Sequence, residues 1–232
     1  MNFLYRHRVA FGFLSLLLAV ILTFGICFFA LARTTAQTGR LTVVIDAGHG
    51  GIDGGVTGIK SGTKESDINL SISRHLQKEF EEAGFLVVQT RPTEAGLYGA
   101  ATPGFKKRDM KKRAEVIATN TPALVISIHQ NFFSLQSRRG AQVFFRENGE
   151  NSKTLACAIQ TALNEMPECV KKSEPLKGDY YMLNCNELPA VIVECGFLSN
   201  PEDEALLISE EYQKKLAATI KKGALAYLSA GA

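Results

Sequence analysis

The 232-residue chain is short of the features that mark several protein classes. Five cysteines are too few for a small domain stapled by disulfides, and no Cys-x-x-Cys pair occurs among them. Charge is not gathered into the blocks that nucleic-acid binders carry, so no nucleic-acid partner is expected. With 46% apolar residues and a formal charge of +3, the chain also lies outside the disordered class. Internal repeats and low-complexity tracts are absent. The length is ample for one domain with a real core and a short appendage.

Another absence is local. The first 40 residues contain no acid, only Arg6, Arg8, Arg33 and Arg40. The remainder holds 22 basic and 23 acidic residues, a formal charge of −1. The apparent basicity therefore belongs to the N-terminus and implies no general attraction of the domain to polyanions.

What is present begins with an apolar run. Residues 9–32 are 24 residues without a charge, 20 of them apolar. As a helix they would rise about 36 Å, enough for a hydrocarbon core of about 30 Å. Arg6 and Arg8 precede the run, which sets residues 1–8 inside and the rest of the chain outside the cytoplasmic membrane. The run is longer than a typical signal-peptide core and reads as a signal anchor. The small-x-small triplet Ala30-Leu31-Ala32 leaves cleavage after Ala32, and hence secretion, as the other reading. Residues 33–40 read as a polar linker, and residues 41–232 as one folded domain.

From residue 41, short apolar runs alternate with amphipathic stretches. Strands are predicted at 41–45, 85–90, 124–129, 141–145, 180–183 and 189–194. Helices are predicted at 66–83, 106–120, 152–165 and 210–228. In the first helix Ile68, Ile72, Leu76 and Phe80 form a stripe at spacing four, and Gly84 stops it. This alternation predicts an α/β class: one three-layer domain with a mostly parallel twisted sheet covered by helices on both faces. Ligands in such sheets bind beyond the carboxyl ends of the strands.

The strand ends carry the chemistry. The first strand runs out through Asp46-Ala-Gly-His49-Gly-Gly51, the third ends at His129, and the 189–194 strand ends at Glu194. Glu65 opens the first helix. Two histidines and one carboxylate make a three-ligand zinc site with a position open to water, and a further carboxylate can serve as general base and acid. Against this, a lone histidine after a strand is usually structural, and Glu65 also suits a helix first turn. Glu194, following Ala190-Val-Ile-Val193, is costly if buried unpaired. Gly48 and Gly50 begin like a dinucleotide fingerprint, but Asp53 takes the third glycine position and no phosphate-loop lysine follows. The glycines here serve a tight turn around His49.

Together these residues resemble a known family, the zinc-dependent N-acetylmuramoyl-L-alanine amidases. The segments that carry the resemblance are Val44–Gly55, Glu65–Leu70, Thr90-Arg91, Ser127–Asn131 and Pro189–Pro201. It implies that His49, Glu65 and His129 hold one Zn2+ per chain and that Glu194 is the catalytic glutamate. The implied bond is the amide between the lactyl group of N-acetylmuramic acid and L-alanine of the peptidoglycan stem peptide. Departures occur at Ser66, Glu94 and Gln130, none of them a proposed ligand, and they bear on substrate preference. The Ser127–Phe133 segment, the short domain and the N-terminal run look like the sporulation and germination branch, which prepares muramic-δ-lactam in spore cortex. No wall-binding repeat is visible, so the membrane segment or an activating or localising protein partner would place the enzyme.

Substrate contacts are not assigned by the sequence; Arg91 and Asn131 are the candidates. Cys157, Cys169, Cys185 and Cys195 lie outside the membrane, where pairing is open, and Cys195 reads as a small buried thiol. The run Lys106, Lys107, Arg108, Lys111, Lys112, Arg113 reads as a solvated helix face. Two rival functions fit the same residues: a non-catalytic wall-binding or regulatory module, and a zinc peptidase cutting within the stem peptide.

Overall fold

The computed structural model describes residues 20–23, 25 and 39–230. No helix among the described residues is long and apolar enough to cross a membrane, and the predicted span over 9–32 lies largely outside them. From Leu41 onward the chain forms one compact unit.

Six strands and six helices follow. They are β1 (Thr42–Ala47), α1 (Glu65–Glu82), β2 (Leu86–Gln89), α2 (Phe105–Asn120), β3 (Leu124–Asn131), β4 (Gln142–Phe145), α3 (Glu150–Asn164), β5 (Leu176–Lys177), α4 (Tyr181–Asn184), β6 (Ala190–Phe197), α5 (Pro201–Leu207) and α6 (Glu210–Ala230). The sheet order is β2-β1-β3-β6-β4-β5. The first four strands run parallel, β4 runs antiparallel to β6, and β5 runs parallel to β4. A single α/β domain with a mostly parallel sheet is thus what the alternation of patterns predicts.

Alternating residues of the central strands face opposite helix layers. Val43, Ile45, Ile126, Ile128, Val191 and Val193 pack with the stripe of α1 and with Leu155 of α3 and Leu216 of α6. Val44, Val125 and Ile192 pack with Ile117 of α2 and Met182 of α4 in a smaller cluster. Helices therefore cover both faces, as expected of a sheet whose inner strands are nearly all apolar.

Three local expectations are corrected. Residues 180–183 were expected as a strand, but Tyr181–Asn184 is a helical turn. A run that short cannot separate the two by periodicity. The edge strand β5 pairs over two residues only, too few to leave a pattern in the sequence. Helix α5 is absent from the expected elements, although Asn200 accepts from the backbone of Glu202 and Asp203 and Pro201 opens the first turn.

Candidate active site

The parallel strands end level with one another. Asp46 lies opposite Ser127, and His129 opposite Glu194, in the β1–β3–β6 ladder. Asp46, Ser127, His129 and Glu194 share one face of the sheet, because residues two apart on a strand point the same way. Between His129 and Asn131 the register shifts in a bulge, a device that re-aims side chains at a strand end. Glu65 is the first residue of α1 and is buried. Its oxygen lies 3.3 Å from His49 Nε2 and 2.9 Å from His129 Nδ1. The two imidazoles meet edge-on with centroids 5.0 Å apart. One donor atom from each of His49, Glu65 and His129 lies within 4.8 Å of the others. Residues up to 80 positions apart in the chain thus converge on one point.

Glycines make the convergence possible. A Cβ on Gly48 would sit 2.3 Å from the His129 ring. Gly55 has φ +68°, and a Cβ there would sit 2.4 Å from Glu65 Oε2. His49 itself has φ +61°, a left-handed conformation that side-chain-bearing residues rarely adopt. Two buried arginines hold it there. Arg91 Nε donates to the His49 carbonyl at 2.7 Å, and Arg113 Nη2 donates to the same oxygen. The same Arg91 Nε also reaches the Ala47 carbonyl, and its Nη1 and Nη2 donate to the carbonyls of Thr93, Gly48 and Ser66.

Arg91 is 1% exposed. Its guanidinium is spent on backbone carbonyls around His49, so it shapes the loop. Burial and the neighbouring charge of Arg113 lower its pKa to about 10, which leaves it cationic at neutral pH. Arg113, expected on a solvated face, is equally buried. It pairs with Asp46 at 2.7 Å and Asp109 at 2.6 Å. Burial opposes the Arg113 charge, but the two aspartates outweigh it and raise its pKa. Asp46 also accepts from Thr90 and Ser127; burial opposes its charge, yet these partners hold its pKa down at about 2. Asn131 is half-buried, and its side-chain oxygen accepts from the Phe132 amide.

The ligand candidates have outer partners of the kind metal sites use. Asp53 lies 3.1 Å from His49 Nδ1, leaving Nε2 toward Glu65. Glu65 accepts from the backbone amides of Val56 and Gln130 and from Asn69. Asn69 follows Glu65 by one helical turn, a spacing that was visible in the sequence. Burial opposes the Glu65 charge, but His129 and His49 hold its carboxyl well below the ordinary range. A buried, ionised carboxylate between two imidazoles is a donor set suited to a divalent ion such as zinc.

Glu194 differs. Burial raises its pKa to about 7, against the pull of His129. Its Oε2 is buried and has no hydrogen-bond partner. A polar atom in that condition calls for an explanation, and a reacting water or leaving group beside it is one. Cys195, next to it in the chain, is buried in the apolar core, and that burial raises its thiol pKa. All four described cysteines are free. A cavity of about 240 Å³ opens on the His49 side, lined by His49, His129, Tyr98, Phe105, Lys106 and Met182.

The class to which this fold and donor set point is a hydrolase with a protein-held metal position. Comparison with known proteins makes it specific: residues 43–226 match the N-acetylmuramoyl-L-alanine amidases, and the chain belongs to that family. Its activity is therefore that of a cell-wall N-acetylmuramoyl-L-alanine amidase. The chain is 34% identical over 191 residues to the germination-specific N-acetylmuramoyl-L-alanine amidase of Bacillus subtilis, covering 81% of this chain and 79% of that one. The fold is similar to the CwlD amidase from Clostridioides difficile, solved in complex with the GerS lipoprotein (TM-score 0.78, 37% identity, 82% of this chain and 100% of that one). It is also similar to an N-acetylmuramoyl-L-alanine amidase from Clostridium difficile 630 (TM-score 0.73, 29% identity, 83% and 99%).

Proposed function

We propose that the chain uses one zinc ion, held by His49, Glu65 and His129, to hydrolyse the lactyl–L-alanine amide of spore-cortex peptidoglycan, as a step toward muramic-δ-lactam. The convergence of three donor atoms within 4.8 Å carries the metal reading. When bound there, zinc supplies Lewis-acid activation of the scissile carbonyl and of a water. Glu194 accepts the proton of the attacking water at its free Oε2 and passes it to the departing L-alanine amine. Asp53 fixes the His49 tautomer, while Val56 and Gln130 orient Glu65 through their amides. The cortex assignment is supported by the likeness to the germination-specific relative. The complex of the CwlD amidase with a lipoprotein supports a protein partner for this chain as well. The uncharged run over 9–32, preceded by Arg6 and Arg8, supports a membrane anchor with the catalytic domain outside.

The test uses the zinc-loaded chain, with partner lipoprotein added in a second arm, on intact cortex muropeptides. Mass spectrometry should find free L-alanine amino termini and peptide-free muramic acid. Cleavage inside the stem peptide would instead establish the peptidase, and binding without products in both arms would establish the wall-binding module. Zinc content measured alongside should be one per chain, and His129→Ala should lose both metal and turnover.

A further inference from the structure

The scissile amide has two sides, muramic acid on the acyl side and the peptide on the amine side. Resting on the amidase reading above, the proton donor to the amine must lie on the peptide side. Glu194 sits on β6, separated from the loop after β1 that carries His49 by the intervening strand β3. The peptide accordingly departs across β6, away from the cavity beside His49.

The next strand in that direction is β4, and Gln142 at its start lies opposite Glu194. Because β4 is antiparallel to β6, the segment 132–141 that enters it lies at the same edge of the sheet as Glu194. The segment entering β5 lies there too, because β5 runs parallel to β4. Gln142 Nε2 ties the two segments together through the Glu174 carbonyl at 2.6 Å. Between them is a groove of about 580 Å³. Its lining holds three cations, Arg138, Arg139 and Lys171, and no acid. In a domain of formal charge −1, that is a local concentration of one sign.

The cations are not equivalent. Arg139 is committed to Glu202 and Asp203 on α5. Arg138 lies 4.9 Å from the centroid of the exposed Phe133 ring, which orients its guanidinium without neutralising it. Neither Arg138 nor Lys171 forms an ion pair among the described residues. Leu135 and Val170 give the groove an apolar rim, 59% and 69% exposed. Free cations with an apolar rim suit an acidic peptide.

We propose that this groove is a subsite for the stem peptide beyond L-alanine, with Arg138 and Lys171 taking its carboxylates. Substrate then lies with its glycan over the cavity at His49 and its peptide across β6 onto β4. Arg138 and Lys171 are specificity residues, and they make acidic stem peptides the preferred substrates.

The experiment compares two muropeptides that share the scissile amide. One has free stem-peptide carboxylates and the other has them amidated. For the zinc-loaded wild type, kcat/KM should favour the acidic substrate about tenfold, mostly through KM, and the advantage should shrink as salt rises. In R138Q/K171Q the ratio between the two substrates should fall toward one, and K171E should reverse it. An undiminished preference in the double variant, or no preference in the wild type, overturns the proposal. Failure of the amidase reading shows differently: the wild type then releases no L-alanine amino terminus from either substrate, and the subsite falls with it.

Discussion

The two faces of the sheet are built from the same strands and do opposite things. Toward α1, α3 and α6 the strands present Val43, Ile45, Ile126, Ile128 and Val193, apolar until Gln130 near the end of β3, which donates to Asn69 of α1. Toward α2 and α4 they present Val44, Val125 and Ile192, then turn polar at Asp46, Ser127, His129 and Glu194. Ile45 and Asp46, Ile128 and His129, and Val193 and Glu194 are neighbours in sequence and enemies in solvation. The pleat alone separates them. The first face gains free energy from apolar burial. The second gives some of that up to hold buried charges, and what it receives is a fixed His49 and an unpaired Glu194.

Four substitutions or conditions press on that contrast. The largest effect belongs to Glu194→Gln, which should lower kcat about 10²–10⁴-fold. Bound zinc and thermal midpoint should stay near wild type, as shown by metal analysis and calorimetry. Retention of near-normal turnover would remove Glu194 from the proton transfer. Next, Arg113→Met leaves Asp46 and Asp109 buried without their cation and should cost about 3–5 kcal/mol in chemical denaturation. It should also weaken zinc retention against a chelator, because the His49 carbonyl loses one of its two clamps. A stability loss with unaltered metal affinity would show that the polar face serves folding alone.

Third comes acid. The Asp46 carboxyl is held at about 2 against 3.8 unperturbed, so its contribution is fully present above pH 3.8 and is lost as pH falls toward 2. The metal-free domain should lose about 2 kcal/mol through that window. In Asp46→Asn the slope there should flatten in denaturant titrations, and an unchanged slope would deny Asp46 the role. The smallest effect should come from the apolar face: Ile126→Val should cost about 0.5–1.5 kcal/mol and leave kcat and zinc affinity alone. A change in either would mean that the two faces are not separable.

Much of this was legible in the chain. The stripe of α1 and the apolar run of β6 are local patterns, and local patterns set their own periodicity. His49, Glu65, His129 and Glu194 were visible as chemistry-bearing residues at strand and helix ends. Asn69 could have been added from its one-turn spacing to Glu65. Arg113 could not. Asp109 stands one helical turn before it, but a solvated surface pair has that spacing too, and Asp46, the partner that goes with its burial, is 67 positions away. Arg91 was similarly ambiguous: a guanidinium near a strand end can face substrate or carbonyls, and only the path of the 47–49 loop around it decides.

The sequence by itself determined the elements that repeat at short range and the identity of the reactive groups, because propensity, patterning and donor chemistry are properties of the residues. The tertiary structure alone decided how these groups meet. Strand register places His129 beside Glu194, the missing Cβ atoms of Gly48 and Gly55 let His129 and Glu65 close in, and two buried arginines hold His49 in a conformation its own backbone disfavours. Those are distances between residues far apart in the chain, and no local preference encodes a distance of that kind.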